Sequence, residues 1–268
     1  MSVLVLVFQA SSAWASGAIE HFSQPDITAL KSADIVLLGE RHDNPAHHEA
    51  QAQIVELLTP SAIVFEMLTK RQASVVTDEN RASENDLEKA FDWNNSGWPD
   101  FAMYYPIFAA APQAKIYGAQ LDRSASKAAL KDGVEAVFGE EAEAFGLTKP
   151  LPEDQQGARE RLQAVAHCNK LPEDVLPRMV MVQRLRDAYL AQASLQALTE
   201  TGGPVVVITG NGHVRSDWGI PVNLLAAAPE VSVIAVGQGE EESPPVGVFD
   251  LTLTAPVPER EDPCAAFN

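Results

Sequence analysis

Six short runs of β-branched and other apolar residues punctuate the chain, at residues 34–38, 62–66, 115–119, 204–209, 231–236 and 247–253. Between the early ones the spacing of apolar positions turns helical. Asn44 supplies an N-cap, Pro45 fits the first helical position, and Ala50, Ile54, Leu57 and Leu58 then recur on one face. Strand, helix and strand in succession predict the α/β class: a mostly parallel sheet flanked by helices. The last two runs read as antiparallel edge strands.

Residues 124–200 carry no such run. They give helical segments broken by Gly133, Gly139, Gly146, Pro150, Pro152, Pro172 and Pro177, which predicts a smaller all-helical insertion. The longest piece, 177–199, places Met181, Leu185 and Tyr189 on one side, with Leu195 and Leu198 off phase. The expected organisation is a sheet domain from 16–123 and 201–268, with a helical subdomain at 124–200. Residues 83–98, polar and acidic and then aromatic, read as a loop or lid. The Pro- and charge-rich tail from Pro256 reads as tied down only through Cys264.

The first fifteen residues change the cellular picture. They carry no charge, Val3 to Phe8 form an apolar core, and Ala13-Trp14-Ala15 before Ser16 fits a small-x-small cleavage site. A secretory signal peptide at 1–15 is the expectation; the other reading of the same run is a hydrophobic first strand. No Cys follows to accept lipid, and no other stretch approaches the roughly 18 apolar residues of a membrane span. A soluble periplasmic or secreted protein is expected. In that compartment the only two cysteines, Cys168 and Cys264, read as one structural disulfide.

Charge narrows the partners. Among 268 residues, 19 Lys+Arg against 37 Asp+Glu leave a formal charge of −18, and no basic run interrupts it. Nucleic acid is an unfavourable partner for such a chain. Phosphate-loop, nucleophile-elbow and dinucleotide fingerprints are all missing, so nucleotide-dependent and serine-hydrolase chemistry drop out.

What chemistry remains gathers where three strands end. Residues 34–38 run into Gly39-Glu40-Arg41-His42-Asp43, 62–65 into Glu66, and 205–209 into Gly210-Asn211-Gly212-His213. In open parallel sheets ligands collect beyond the carboxyl ends of the strands, so neighbouring strands would place Glu40, His42, Glu66 and His213 on one rim. His42, Glu66 and His213 form a ligand set suited to a divalent ion such as Zn²⁺, with Glu40 free as general base. The other reading makes them hydrogen-bonded loop residues. His47 and His48, in the first turn of the capped helix, can present neutral nitrogen to a ligand or cover the sheet edge. Trp93, Trp98, Phe101, Tyr104 and Tyr105 cluster before Pro106, as core or as the wall of a flat macrocycle.

These residues carry a family resemblance. Leu37-Leu38-Gly39-Glu40-Arg41-His42-Asp43-Asn44-Pro45-Ala46-His47-His48, then Phe65-Glu66-Met67, Trp98 with Tyr104-Tyr105-Pro106-Ile107, and Ile208-Thr209-Gly210-Asn211-Gly212-His213-Val214-Arg215 with Trp218-Gly219-Ile220-Pro221 resemble the ChaN-like haem-binding uptake family. That family belongs with Tiki-type metalloproteases and erythromycin-esterase-like enzymes, and the likeness spans roughly residues 30–225. It implies an α/β sheet domain with a smaller helical domain, a role in iron acquisition at the cell envelope, and haem as ligand. It also implies a homodimer holding two haems face to face, and haem-transport components as partners. Tyrosine ligation of iron, supported by a partner-subunit His, is part of that implication, with Tyr104 the first candidate ligand and Tyr189 the second. Relatives are often lipoproteins, a feature this chain lacks. Two functions stay open: an exported haem acceptor or carrier, with His47 and His48 as a polar rim, and a metal-assisted or His/Glu-dependent hydrolase using Glu40, His42, Glu66 and His213.

Overall fold

The computed structural model describes residues 17–241, 243–262 and 264–265; the expected signal peptide at 1–15 lies outside the described residues. Six strands form one sheet: β1 (Ile35–Leu38), β2 (Ala62–Phe65), β3 (Lys115–Gly118), β4 (Val205–Ile208), β5 (Val233–Glu240) and β6 (Leu251–Ala255). Their spatial order is β3-β2-β4-β1-β5-β6, and every neighbouring pair is parallel. Among the described residues, eight helices of eight or more residues surround it: α1 (Gln24–Ser32), α2 (Pro45–Leu58), α3 (Glu84–Phe91), α4 (Phe101–Ala110), α5 (Arg123–Asp132), α6 (Glu153–Ala166), α7 (Leu176–Thr201) and α8 (Ile220–Ala227).

Local chemistry accounts for the helix ends. The Asn44 side chain accepts from the Ala46 N–H at 3.0 Å with Pro45 at the first helical position, so α2 begins where the sequence signals it. The 26-residue α7 stops at Gly202, whose φ of +78° a glycine adopts without strain.

Both sheet faces are covered, which is why the strands read as unbroken apolar runs. Val36, Leu38, Ile63, Phe65, Val206 and Ile208 face one core, filled by Ile54 and Leu58 of α2, Leu87 and Phe91 of α3, and Ile107 and Phe108 of α4. Ile35, Leu37, Val64, Val205 and Val207 face the other, filled by Leu185 and Ala188 of α7 and Leu224 of α8. Residues between β3 and β4 contain helices alone, and α7 packs directly on β2, β3 and β4.

Three sequence expectations are corrected. β5 and β6 are parallel, not antiparallel, to their neighbours. The return from β5 to β6 takes only residues 241–250 because it lies flat on the strand it leaves: a Cβ on Gly237 would meet the Phe249 ring at 2.7 Å, and one on Gly239 would meet Pro245 at 2.6 Å. The segment read as a loop or lid contains α3, whose Ser83 side chain caps it and whose Leu87 and Phe91, four apart, are fully buried. Finally, the C-terminal tail has a second anchor besides Cys264. Arg260 forms a two-point ion pair with the buried Glu240 carboxylate and reaches Asp43 at 2.8 Å. The Cys168–Cys264 disulfide itself is present, with Cα atoms 5.7 Å apart.

Candidate functional site

Parallel register brings three strand ends level: Leu38 and Phe65 both pair with Ile208. The residues that follow, Glu40, Glu66 and Thr209-Gly210, therefore share the rim expected from the sequence. Gly210 matters sterically. A Cβ there would lie 3.0 Å from His42 Nε2, so a bare backbone lets the His42 ring close over the end of β4.

Two buried networks result. In the first, Glu40 Oε1 contacts His42 Nδ1 at 2.6 Å and accepts from the Tyr104 hydroxyl at 3.0 Å, while Oε2 accepts from Gln51 Nε2 at 2.8 Å and lies 3.4 Å from His48 Nδ1. In the second, Glu66 Oε2 accepts from Thr209 Oγ1 at 2.7 Å and the Gly210 N–H at 2.9 Å. Its Oε1 faces His213 Nε2 at 3.4 Å, and His213 Nδ1 is 2.5 Å from Asp187 Oδ1 on α7. The Gln183 amide, one turn earlier on α7, lies beside the same imidazole.

Electrostatics follow from those contacts. Burial opposes charge on His213, but Glu66 and Asp187 outweigh it and raise its pKa to about 10. Burial would likewise raise the Glu66 carboxyl; His213 and the Gly210 N–H instead hold it far below the ordinary carboxylate range. Glu40 is lowered despite its burial, chiefly by the hydrogen bond to His42, and His42 is correspondingly raised. Asp187 runs the other way, because its desolvation outweighs His213.

The trio expected to hold a divalent ion is thus engaged internally. His213 lies between two carboxylates, with Nδ1 on Asp187 and Nε2 facing Glu66, and His42 gives Nδ1 to Glu40. Among the described residues no group of three or more His, Cys, Asp or Glu side chains is disposed to hold a metal ion.

The other histidines do not form a rim. His47 is fully buried, accepting from the Arg41 N–H at 2.9 Å and donating to the Gly239 carbonyl at 3.1 Å; burial lowers its pKa. His48 is also fully buried, with Nε2 on the His42 carbonyl at 3.0 Å. The aromatic cluster is core: Trp93, Phe101 and Tyr104 pack together, with Trp98 edge-on to His42 at 4.9 Å.

The tyrosines differ sharply. Tyr104 is 0% exposed, and burial together with the Glu40 carboxylate pushes its phenol far above the ordinary range, so it presents no face to an iron. Tyr117 is buried and donates to Glu200, and Tyr105 donates to the Arg81 carbonyl. Tyr189 is half-buried, edge-on to Phe138, and lines a cavity of about 720 Å³ that also meets Lys70, Arg71, Arg123, Phe91 and Leu121.

Comparison with known proteins puts this geometry in context. A family model described as haem-binding uptake, Tiki superfamily, ChaN matches residues 27–224. The chain belongs to this family. Among solved structures it is similar to one reported as cofacial heme binding to ChaN of Campylobacter jejuni, at 21% identity and a TM-score of 0.61, covering 81% of this chain and 86% of that one. That likeness is one of fold. Weaker likenesses reach a succinoglycan biosynthesis protein (12% identity, TM-score 0.48, 81% of this chain and 68% of that one) and the type III effector HopBA1 (10%, 0.44, 86% and 91%). No curated protein matches the sequence. The ChaN family match takes in both networks and α7, whereas β5, β6 and the Arg260 anchor lie beyond it.

Sequence reasoning missed Asp187, Gln183 and Gln51 in this ChaN-like site. Asp187 left a trace: it follows Val180 by seven residues and precedes Ala191 and Ser194 by four and seven, so a lone acid stands on a buried helical stripe. Gln51 likewise lies between Ala50 and Ile54 on the buried side of α2.

Proposed function

We propose that this protein is an exported haem-binding protein acting as an acceptor or carrier in iron acquisition. The observation that carries the reading is membership of the haem-binding uptake family over residues 27–224. The Cys168–Cys264 bond supports an oxidising compartment, and no helix among the described residues is long and apolar enough to cross a membrane.

The residues around Tyr189 fit the group. Tyr189 borders the 720 Å³ cavity, Leu121 supplies apolar wall, and Lys70, Arg71 and Arg123 supply cations suited to propionates. Tyr189 is therefore the tyrosine that would hold the iron, ahead of Tyr104. Bound ferric haem would bring redox-active iron, which a phenolate stabilises in the ferric state. Burial raises the Tyr189 pKa, so without haem the phenol keeps its proton, donated to the Val137 carbonyl at 3.3 Å, and would give it up on holding the iron. The cofacial haem binding reported for ChaN of Campylobacter jejuni supports a homodimer as the haem-loaded form, and the carrier role would require haem-transport components as partners.

The test is an absorbance titration of the mature protein with ferric hemin, with elemental analysis of the same untreated sample and light scattering across the titration. Saturation near one haem per chain, a tyrosinate-like high-spin spectrum lost in Tyr189→Phe, and dimer formation on loading are expected. Absence of saturable hemin binding, with about one zinc or iron per purified chain, would overturn the reading and return weight to a metal-assisted hydrolase.

A further inference from the structure

Arg159, on α6, is 7% exposed and forms no ion pair among the described residues. Its Nη2 donates to the uncharged Gln155 Oε1 at 3.0 Å and Trp218 carbonyl at 3.1 Å, and its Nε meets no acceptor. Nearby Arg215 shows the contrast. It is just as buried, but Nε and Nη2 reach both oxygens of Asp217 at 2.9 and 2.6 Å. Both guanidinium groups lie against the Trp218 ring, at 5.1 Å for Arg159 and 3.4 Å for Arg215. Asp187 and Asp217 attract Arg159 through space and Arg184 and Arg215 repel it, while Asp187 gives its short contact to His213 and Asp217 gives its own to Arg215. A desolvated cation with no carboxylate in contact is costly, and an anion arriving from outside would relieve that cost.

Space for that anion is present. Arg159 and Trp218 border a cavity of about 270 Å³ between α6, α7 and the segment after β4, with Leu162 as apolar wall and Gln183, Asp187 and Arg215 as polar lining. Leu162 and Val246 at its edge remain 37% and 67% exposed. The volume falls just below the usual range for ligand pockets, roughly 300 Å³ upward, which excludes a macrocycle and fits a compact molecule. One uncompensated cation beside the Asp187 carboxyl favours a single negative charge over a dianion.

We infer that this cavity, apart from the one at Tyr189, is a binding site for a compact organic monocarboxylate with an apolar or aromatic body. Its carboxylate meets the Arg159 guanidinium and its body lies against Trp218 and Leu162.

Calorimetric titration of the full mature chain with benzoate, its neutral isostere benzamide and inorganic phosphate tests the inference. Saturable one-to-one binding of benzoate is expected, with benzamide at least about tenfold weaker and phosphate not competing. Arg159→Gln should weaken benzoate by about ten- to a hundredfold while the hemin titration is unchanged. Ala166→Trp, at an exposed end of α6 that borders the cavity, should block benzoate without touching Arg159, and it decides the matter should Arg159→Gln fail to fold. Equal binding of benzamide, displacement by phosphate, indifference of benzoate to both substitutions, or no benzoate binding up to about 10 mM would each overturn the site.

Discussion

His213 and Asp187 meet at 2.5 Å, Nδ1 to Oδ1, while the opposite nitrogen of the same ring faces Glu66 at 3.4 Å. An imidazolium held between two carboxylates joins the end of β4 to the end of β2 and to the middle of α7, so one charge ties the sheet rim to the layer that covers it.

That arrangement makes stability depend on pH. The folded pKa of His213 is raised from 6.5 to about 10, so its contribution is fully present below pH 6.5 and disappears as pH climbs toward 10. Urea denaturation should show stability falling by more than about 1 kcal/mol across this interval. His213→Gln should flatten the decline. A wild-type curve with the same slope as the variant's would mean the bridge is not formed.

Tyr104→Phe separates the two tyrosines. It removes the hydroxyl that donates to Glu40 and nothing else, so a loss of about 1 kcal/mol is expected, with an unaltered hemin spectrum. A changed spectrum in this variant would restore Tyr104 as iron ligand.

The strand ends were legible because each apolar run stops at a polar residue that no buried strand would carry. Asn44-Pro45 announced α2, and Glu40, His42, Glu66 and His213 do lie together. What stayed hidden needs the third dimension. Aromatic residues cluster in the sequence around Tyr104, but which ring faces inward is set by α4 packing on α2, with His48 and Tyr104 rings 4.2 Å apart. Asp187 comes from a helix, 26 residues before its partner. The direction of β6 depends on Phe249 and Pro245 covering two glycines, a contact that no periodicity encodes.

Those glycines yield a further expectation. Gly237→Ala places a methyl 2.7 Å from the Phe249 ring and should displace the return segment at about 1–3 kcal/mol, read as a lowered thermal midpoint. An unchanged midpoint would show that Phe249 moves aside freely.

The Cys168–Cys264 bond closes a loop with a sequence separation of 96 residues, for which chain entropy gives about 4–5 kcal/mol. Reduction, or the double Cys→Ser variant, should lower the urea midpoint correspondingly. Equal midpoints in oxidised and reduced protein would assign the bond a role other than stability.

Because all six strands run the same way, the two ends of the sheet differ in character. At the amino ends of the strands, Asp34 accepts from the Ser232 hydroxyl and N–H at 2.6 and 2.8 Å, and the Ser61 hydroxyl donates to the Gly203 carbonyl at 2.6 Å; these are short ties between small groups. The charged histidine networks gather at the opposite end. Substitutions mapped along this axis should sort by latitude, with those near Asp34 and Ser61 lowering stability at every pH and those near Glu66 and His213 changing its pH dependence as well.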